Sequence, residues 1–386
     1  MTYHPRDRTT ERLLGALTLA YLSCVLYAGL TPFRVPNNRV NWVPKGNILQ
    51  VGPQGIILSK SPFLKSPAGR TLEIWMRSTV VRDDSTILAF YNSDHPSWFG
   101  LRQSWSDLEL KIEPAGWTAS RTGRWYIDRA FADGRGRIWG IAANPRETVV
   151  YRDGVKVGSS QGFLVSDGEF AGQLVIGTSP TSNDSWRGDL RGIAIYDRDL
   201  PAARIARHYA TWWQKGKPEL EAGDECVALY VFQERSGSTV HNEVREGNDL
   251  FIPPNYVAVH RAILDPIWRA FNWGKGFWQD ALINVAGFVP LGFLVSAYLR
   301  VRGVGRPTLA AMLGGAALSG TIELLQVLLP TRDSSMSDLI ANTAGAIIGA
   351  TLSAQIMLAP TLVRISHLWR VFPGGYDRGR EDRASN

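Results

Sequence analysis

Residues 323–342 read E-L-L-Q-V-L-L-P-T-R-D-S-S-M-S-D-L-I-A-N, and residues 343–349 continue as T-A-G-A-I-I-G. Two apolar stretches of helical length meet here across a short polar hinge. A carboxylate or carboxamide in hydrocarbon costs several kcal/mol unless it is paired or faces a cavity. The stretch therefore predicts a membrane-embedded helical hairpin, and its polar residues are candidates for a functional site.

The sequence holds four apolar runs that are each long enough to cross a bilayer, which takes roughly 20 residues. They cover residues 13–33, 281–299, 308–329 and 339–360. A cleavable signal peptide is the alternative for the first run. That run is too long for one and no small-x-small cleavage site follows it, so we expect a retained helix. Residues 257–280 carry Trp268, Trp273 and Trp278 among basic residues, which predicts an interfacial segment leading into the bilayer.

Arginine residues beside the apolar runs predict the orientation of the chain. A four-helix count places eleven of them on one side: Arg6, Arg8, Arg12, Arg300, Arg302, Arg306, Arg364, Arg370, Arg378, Arg380 and Arg383. The opposite short loop, residues 330–338, carries only Arg332, offset by Asp333 and Asp338. By the positive-inside rule, residues 1–12 and 361–386 are cytoplasmic tails and residues 34–280 lie outside. This placement accounts for the net charge of +7 without a nucleic-acid partner.

Residues 34–256 alternate apolar and polar residues over short stretches, as in L-E-I-W-M over 72–76 and L-E-L-K-I over 108–112. Y-R-D-G-V over 151–155 places Asp-Gly between two strands, a strong hairpin signal. Many short strands separated by turns predict an antiparallel all-β sandwich over residues 40–256, inserted after the first helix, with one helix over 201–213. Cys24 and Cys226 lie in different environments, so no disulfide is expected.

Helical spacing places the polar residues of the last two runs on two faces. One face holds, at i, i+4 and i+7, Ser319, Glu323 and Gln326. The other holds, at i, i+4, i+7 and i+11, Asp338, Asn342, Gly345 and Gly349. With Asn284 and Arg332 at the same depth, the predicted polar membrane site consists of Asn284, Ser319, Glu323, Gln326, Arg332, Asp338 and Asn342. The alternative is a structural clamp of interhelical hydrogen bonds, each worth about 0.6–2 kcal/mol, but so many polar groups at one depth favour a site.

Three motifs in the C-terminal runs together resemble a known family. They are N-x-x-x-F-x-P-L-G over 284–292, E-x-x-Q over 323–326 and R-x5-D-x3-N-x2-G-x3-G over 332–349. In this order they resemble the VanZ family over residues 270–360, small bacterial membrane proteins named after a factor associated with low-level teicoplanin resistance. The resemblance implies a role in the cell envelope or in the glycopeptide-antibiotic response. Residues of these motifs that we expect to pack helices closely are Gly287, Pro290, Gly292, Gly345 and Gly349.

The inserted segment also resembles a family. Its motifs are L-E-I-W over 72–75, V-Y-R-D-G over 150–154, L-V-I-G over 174–177, W-R-G-D-L-R-G-I-A-I-Y over 186–196 and L-Y-V-F-Q-E-R-S-G over 229–237. Their order resembles the laminin-G (LamG) or concanavalin A-like lectin and glucanase fold, a jelly roll. The resemblance implies binding of glycans or proteins, and some relatives are glycan hydrolases.

Candidate site residues within the sandwich are few. Hydrolysis needs two carboxylates flanking a bond, and Asp107, Glu109 and Glu113 share a strand face with Lys111, but their spacing differs from that of the hydrolases and favours a solvated face. Residues that could bind a ligand in the sandwich are Trp98, Trp105 and Trp186, for sugar stacking, and Asp184 and Asp189, as calcium ligands. No other cofactor is expected, and the His residues lack zinc spacing.

The sequence therefore predicts a multi-pass protein of the bacterial cytoplasmic (inner) membrane with an extracytoplasmic concanavalin A-like sandwich. The leading interpretation is non-enzymatic: the sandwich binds an envelope glycan or protein, and the bundle anchors it in the lipid bilayer. The alternative is an enzyme or carrier that acts on a lipid-linked envelope intermediate, with Glu323 or Asp338 as base and Arg332 on a phosphate. The sequence shows neither a nucleophile–base pair nor a metal cluster, which favours the first interpretation.

Overall fold

The computed structural model describes residues 8–66, 69–94, 97–113, 123–166, 168–267 and 275–370, which form two compact units. The helical unit contains the described residues of 1–31, 263–328 and 334–386, and the sandwich unit contains those of 32–262 and 329–333. The predicted fold class, apolar helices plus an all-β sandwich, is confirmed. Arg6, Trp268, Trp273 and the residues after 370 lie outside the described ranges.

The sandwich unit is built from short strands. They are β1 (Val40–Trp42), β2 (Leu49–Val51), β3 (Ile57–Ser59), β4 (Arg70–Ser78), β5 (Asp83–Asn92), β6 (Ser97–Trp105), β7 (Asp107–Glu113), β8 (Gly123–Ile127), β9 (Arg137–Ala143), β10 (Thr148–Arg152), β11 (Val155–Ser160), β12 (Gln173–Ile176), β13 (Gly188–Tyr196), β14 (Cys226–Tyr230), β15 (Thr239–Val240) and β16 (Leu250–Phe251). The first sheet has the order β1-β2-β13-β4-β9-β10-β11, with β14 also paired to β13. The second has the order β15-β16-β3-β12-β5-β6-β7-β8. The strand pairs within each sheet are antiparallel.

Side-chain alternation explains the core between the sheets. In β7, Leu108, Leu110 and Ile112 are buried in it, whereas Lys111 is directed to the opposite face and is partly exposed. Strands of the other sheet contribute residues such as Ile74 and Ile141 to the same cluster. The apolar alternation seen in the sequence therefore marks the faces that the two sheets bury against each other.

A single helix, α2 (Ala202–Lys215), covers the outer face of the first sheet. It buries Ile205 and Trp212 there and ends at Gly216, whose positive φ of 73° is accessible to glycine and whose N–H donates to the Trp212 carbonyl at 3.0 Å. Gly192 in β13 makes the contact possible, because a Cβ there would lie 2.3 Å from the Trp212 ring. The outer face of this sheet is therefore buried as well, where α2 lies on it.

The helical unit contains α1 (Arg8–Leu30), α3 (Lys275–Val301), α4 (Pro307–Gln326) and α5 (Met336–Arg370). Each holds a stretch long and apolar enough to cross a membrane. Many large apolar side chains of these helices are exposed, among them Leu19, Leu282, Leu313 and Ile356. A helix that is apolar around its whole circumference suits hydrocarbon better than water. Four apolar helices with exposed large apolar side chains are typical of a membrane protein.

Four threonine hydroxyl groups on these helices are satisfied by the backbone of their own helix. Thr18, Thr321, Thr343 and Thr351 each donate to the carbonyl four residues earlier, at distances of 2.7–2.8 Å. In hydrocarbon no water can take such a donor, so the bond to the preceding turn removes the cost of an unsatisfied hydroxyl. These four threonines are thus compatible with lipid around the helices.

Glycines bring α3 and α5 into backbone contact. A Cβ at Gly345 would lie 2.3 Å from the Val285 carbonyl oxygen, and one at Gly349 would lie 1.9 Å from that of Val289. On the facing side, a Cβ at Gly292 would lie 2.2 Å from the carbonyl oxygen of Ala346. These distances are far below any real Cβ contact, so the two helices meet through residues without side chains.

The other two residues expected to pack helices have different surroundings. A Cβ at Gly287 would meet nothing within 4 Å, although its carbonyl oxygen accepts the Tyr21 hydroxyl of α1 at 2.9 Å. Pro290 lies inside α3, where it removes one backbone donor. Close packing in this region therefore comes from Gly292, Gly345 and Gly349.

Candidate functional site

Five polar residues are gathered between α4 and α5, and we call them the polar cluster: Ser319, Glu323, Gln326, Ser335 and Asn342. The Glu323 side chain is 1% exposed, and its Oε2 accepts the Ser335 backbone N–H at 2.8 Å. One turn away, Asn342 donates from Nδ2 to the Ser319 Oγ at 3.0 Å. The two polar faces predicted from helical spacing do meet, and they join α4 to α5 at two levels.

The start of α5 depends on this cluster. Ser335 precedes the helix, and its Oγ accepts the Ser337 N–H at 3.1 Å, as a helix-capping serine does. In a capping box the Ser335 N–H would go to the acid at the third helical position, which is Asp338. Here it goes to Glu323 on the neighbouring helix. Glu323 therefore fixes where α5 begins, and Asp338 lies in the first turn, where the helix dipole favours an acid.

Gln326 extends the cluster to α1. Its Nε2 donates to the Gly29 carbonyl at 2.8 Å, while its buried Oε1 has no hydrogen-bond partner within the described residues. A buried acceptor without a partner costs free energy of about 1–3 kcal/mol. The Oε1 atom is thus a position in the polar cluster that could accept a bond from a ligand hydroxyl or amine.

Three predicted members of the membrane site, Asn284, Arg332 and Asp338, are not among the five residues of the polar cluster. Asn284 on α3 is half-buried and forms no side-chain hydrogen bond within the described part of the chain. Arg332 is exposed and belongs to residues 329–333, which are counted with the sandwich unit. Convergence of Arg332 with Glu323 and Asp338 therefore stays a prediction.

The tryptophans considered for sugar stacking differ in exposure. Trp98 and Trp186 are 1% and 0% exposed, so neither ring face is available to a ligand. Trp98 instead packs on the outer face of the second sheet, with the Lys111 ammonium 4.9 Å from its ring centroid. Trp105, at the end of β6, is 65% exposed and has a positive φ of 55°. Of the three, it alone presents a ring to solvent.

The two aspartates considered as calcium ligands are occupied by protein donors. Asp184 accepts the Thr86 and Ser179 backbone N–H groups at 3.1 and 2.6 Å, and the Arg102 guanidinium at 3.1 Å. Burial raises the pKa of Asp184 above its ordinary value, while Arg102 and these hydrogen bonds oppose the rise. Asp189 pairs with Arg77 at 2.7 Å. Both carboxylates serve the fold here, and the described residues contain no cluster of three or more His, Cys, Asp or Glu residues that could hold a metal ion.

The strand face of β7 is covered by ion pairs. Glu109 is buried, with Arg102 at 3.3 Å, Arg124 at 3.5 Å and the Tyr126 hydroxyl at 3.2 Å. The expectation of a solvated face is wrong for this residue. Alternation placed Glu109 on the outer face correctly, but it could not show that arginines from the neighbouring strands β6 and β8 would cover it.

A cleft of about 570 Å³ lies between the sheets at one end of the sandwich unit. It is lined by Ser66, Gly69, Arg70, Ile112, Gly123, Ala143, Asn144, Pro145, Gly162, Phe163, Leu164, Val165, Ser166, Glu169 and Phe170. Its volume is in the usual range for small-ligand sites, about 300–1,000 Å³. The lining combines apolar groups with hydroxyl, amide and charged groups. Phe163 and Phe170 are 5% and 2% exposed, so little of either ring is open to the cleft.

Arg70 shapes one wall of this cleft. Its side chain is buried, donates to the Leu64 carbonyl at 2.6 Å and to the Asp197 carboxylate at 2.5 Å, and also bonds the Phe170 carbonyl. Burial lowers the pKa of Arg70, and Asp197 opposes that shift. Its Nε has no hydrogen-bond partner within the described residues. The guanidinium is therefore held rigidly, with one buried donor left over.

One buried charge cluster was not predicted from the sequence. Beneath α2, the His208 Nδ1 lies 3.0 Å from the Glu73 Oε1, and its Nε2 lies 3.4 Å from the Asp224 Oδ2. Glu73 Oε2 also accepts the Tyr196 hydroxyl and the Trp212 Nε1–H, both at 2.9 Å. The sequence signal that could have indicated this cluster is Glu73, a charged residue within the strand sequence L-E-I-W. The structure shows that α2 covers the face on which Glu73 lies.

Two family models match the chain, and the more C-terminal of them begins at β14, within the sandwich unit. The model of the VanZ/LLP1 family matches residues 226–358, and that of the concanavalin A-like lectin/glucanases superfamily matches residues 52–206. No curated protein matches the chain.

Solved structures similar to the chain share little sequence with it. The binding domain of Paraclostridial Mosquitocidal Protein 1 is 12% identical, with 46% of this chain and 47% of that chain covered and a TM-score of 0.35. The botulinum neurotoxin serotype D binding domain is 13% identical, with 48% of this chain and 49% of that chain covered and a TM-score of 0.38. The heptameric SAP-like pentraxin from Limulus polyphemus is 15% identical, with 48% of this chain and 100% of that chain covered and a TM-score of 0.32. This chain spans about half the length of the two toxin chains. By the family matches, the chain combines a concanavalin A-like domain with a VanZ/LLP1 domain.

Proposed function

We propose that this protein is a membrane-anchored binding module of the bacterial cell envelope. The sandwich unit binds an envelope glycan or protein outside the cytoplasm, and the helical unit anchors it in the cytoplasmic membrane. The observation that carries the proposal is the cleft of about 570 Å³, because it offers a ligand-sized space lined by polar and apolar groups within a lectin-type domain.

Contacts inside the helical unit support the proposed topology. Glu11 at the start of α1 pairs with Arg302 at 2.7 Å, and Arg300 donates to Thr308 at 3.2 Å. The start of α1, the end of α3 and the start of α4 therefore share one end of the bundle, where the arginines collect. Gln326 and Gly29 join the ends of α4 and α1 at the opposite end. By the positive-inside rule, our proposal is four crossings with the arginine-rich end, and with it both termini, in the cytoplasm.

Reporter fusions test this topology. A fusion at Val304, in the turn between α3 and α4, should report the cytoplasm, and one at Ser335, before α5, should report the outside. Each position would carry two reporters, alkaline phosphatase and a cytoplasmic fluorescent protein, and both signals would be measured in the same cells. If both positions report the same side, the four-span arrangement is wrong.

A blocking substitution tests the cleft. Gly162 lines it, and a Cβ there would meet nothing nearer than 3.9 Å, so Gly162→Phe should fill the cleft without disturbing the fold. We expect the full-length protein in detergent to bind a bacterial envelope glycan preparation, and the variant to lose at least about tenfold in affinity by biolayer interferometry.

The matched control is Gly223→Phe, at another exposed glycine whose Cβ would meet nothing nearer than 4.0 Å and which is not part of the cleft lining. It should bind as the unaltered protein does. Equal binding by all three proteins would remove the cleft as the binding site, and equal loss by both variants would point to damage to the fold.

The alternative function, an enzyme or carrier for a lipid-linked intermediate, has weaker support. Glu323 would have to act as a base, yet its carboxylate already accepts the N–H that starts α5. Asn342 and Ser319 likewise bond to each other. These contacts are of the kind that join helices, and each contributes about 0.6–2 kcal/mol in a membrane.

A further inference from the structure

Three residues lie side by side on the outer face of the first sheet, and we call them the tryptophan patch: Trp75, Arg191 and Trp213. Trp213 in the last turn of α2 is 64% exposed. Its ring centroid lies 5.8 Å from that of Trp75 in β4, with the ring planes 38° apart. The guanidinium carbon of Arg191 in β13 lies 5.3 Å from the Trp75 centroid. Three separate elements thus present two indoles and one cation together.

Trp213 is not the residue that anchors α2. Its neighbour Trp212 is fully buried and donates to Glu73, and Ile205 and His208 are buried on the same side of the helix. Successive helical residues point about 100° apart, so Trp213 is directed away from this anchor. Adjacent aromatic rings left in water mark an interaction surface, because their apolar faces gain free energy when they are covered.

The charge of the patch indicates what covers it. Arg191 is exposed and forms neither an ion pair nor a hydrogen bond with any described residue. The next arginine on this face, Arg77, is already neutralised by Asp189 at 2.7 Å. Stacking on Trp75 orients the Arg191 guanidinium while its N–H donors stay open, and such a planar fork matches a carboxylate or phosphate.

We propose that the tryptophan patch is a binding site for an acidic saccharide. A pyranose ring lies with its C–H face on the Trp213 indole, and the carboxylate or phosphate that the sugar carries pairs with Arg191. Neutral sugars would gain the stacking contact and leave the cation unmatched. The patch shares no residue with the cleft, so it stands or falls independently of the binding proposed for the cleft.

The test uses the full-length protein in detergent and immobilised polygalacturonate, a polymer of acidic pyranoses, with neutral dextran as the comparison surface. We expect binding to polygalacturonate and at least about tenfold weaker binding to dextran. Trp213→Ala and Arg191→Gln should each weaken polygalacturonate binding at least about tenfold, and Arg191→Lys should recover part of it, because charge is kept and the fork is lost.

Matched controls separate the patch from general effects of exposed residues. Trp105→Ala removes a tryptophan of similar exposure, and Arg39→Gln removes another exposed arginine; both should bind polygalacturonate as the unaltered protein does. Gly223→Phe, outside both the cleft lining and the patch, should also leave this binding unchanged. An unchanged thermal melt of each variant shows that its fold is intact.

Three results of the binding comparison would overturn the proposal, and a competition experiment gives a fourth. They are a failure of the unaltered protein to bind polygalacturonate, equal binding of dextran, and equal loss in the control variants. Glycerol phosphate, which has the headgroup chemistry of an anionic lipid, serves as a competitor. If it displaces the polymer as well as trigalacturonate does at equal concentration, the patch binds a lipid headgroup and the saccharide proposal fails.

Discussion

Gly349→Ala is expected to destabilise the helical unit by about 3 kcal/mol, the upper part of the usual range for overpacking. The added methyl would lie 1.9 Å from the Val289 carbonyl oxygen and 2.8 Å from the Phe293 backbone nitrogen. Both atoms belong to the backbone of α3, so no side-chain rotation can relieve the overlap, and α3 and α5 must separate. Because α3 and α5 form an extended contact in this unit, their separation should loosen the whole bundle.

The matched control is Gly314→Ala on α4, where a Cβ would meet nothing within 4 Å. Alanine is favoured over glycine in a helix by about 1 kcal/mol, so this variant should be as stable as the unaltered protein or slightly more stable. Thermal aggregation of the purified full-length proteins in detergent gives the comparison. Equal midpoints for the two variants would contradict the backbone contact between α3 and α5.

His208→Gln is expected to destabilise the sandwich unit by about 3–5 kcal/mol near pH 6, the usual cost of removing one partner from a buried ion pair. The substitution leaves Glu73 and Asp224 buried without the cation between them. It also removes a link between α2 and β4, because His208 is in the helix and Glu73 is in the strand.

The cost should shrink as the pH rises. Burial lowers the pKa of His208, but Glu73 and Asp224 raise it by more, so in the folded protein it lies above the ordinary value of 6.5. Below pH 6.5 the imidazole is protonated whether the chain is folded or not, and its stabilising contribution is complete. Above pH 6.5 the unfolded chain loses this proton first, so the contribution falls until the pH passes the folded-state pKa.

Urea unfolding of the fragment 32–262, followed by tryptophan fluorescence from about pH 6 to about pH 8.5, measures both effects across the range in which histidine titrates. The fragment has its own core between the two sheets, so a cooperative transition is expected. The control is His241→Gln at an exposed histidine. A pH-independent cost for His208→Gln, or the same cost for the control, would contradict a charged His208.

Several features of the candidate sites could be read from the sequence. The spacing of Ser319, Glu323 and Asn342 predicted two polar faces, and in the structure these faces do meet. The G-x-x-x-G pair Gly345 and Gly349 predicted that another helix approaches closely. Residues without a Cβ allow such an approach whichever helix is the partner. Exposure of individual tryptophans could not be read, because Trp98 and Trp105 both follow a serine in the sequence. In the structure Trp98 packs within a buried cluster, whereas Trp105 ends β6 with a positive φ and stays exposed.

The sequence by itself determined the order of the elements: apolar runs of helical length at both ends, alternating strands between them, and a helix predicted over residues 201–213 and observed over 202–215. The type of each element depends on the spacing of apolar side chains within its own segment, which is a local property. Only the tertiary structure decided which buried charged residues pair with one another. Glu73 meets His208 across 135 residues, and Glu109 meets arginines of two adjacent strands. Such pairs arise from strand register and from where α2 is packed, and both are set by burial of the whole core at once.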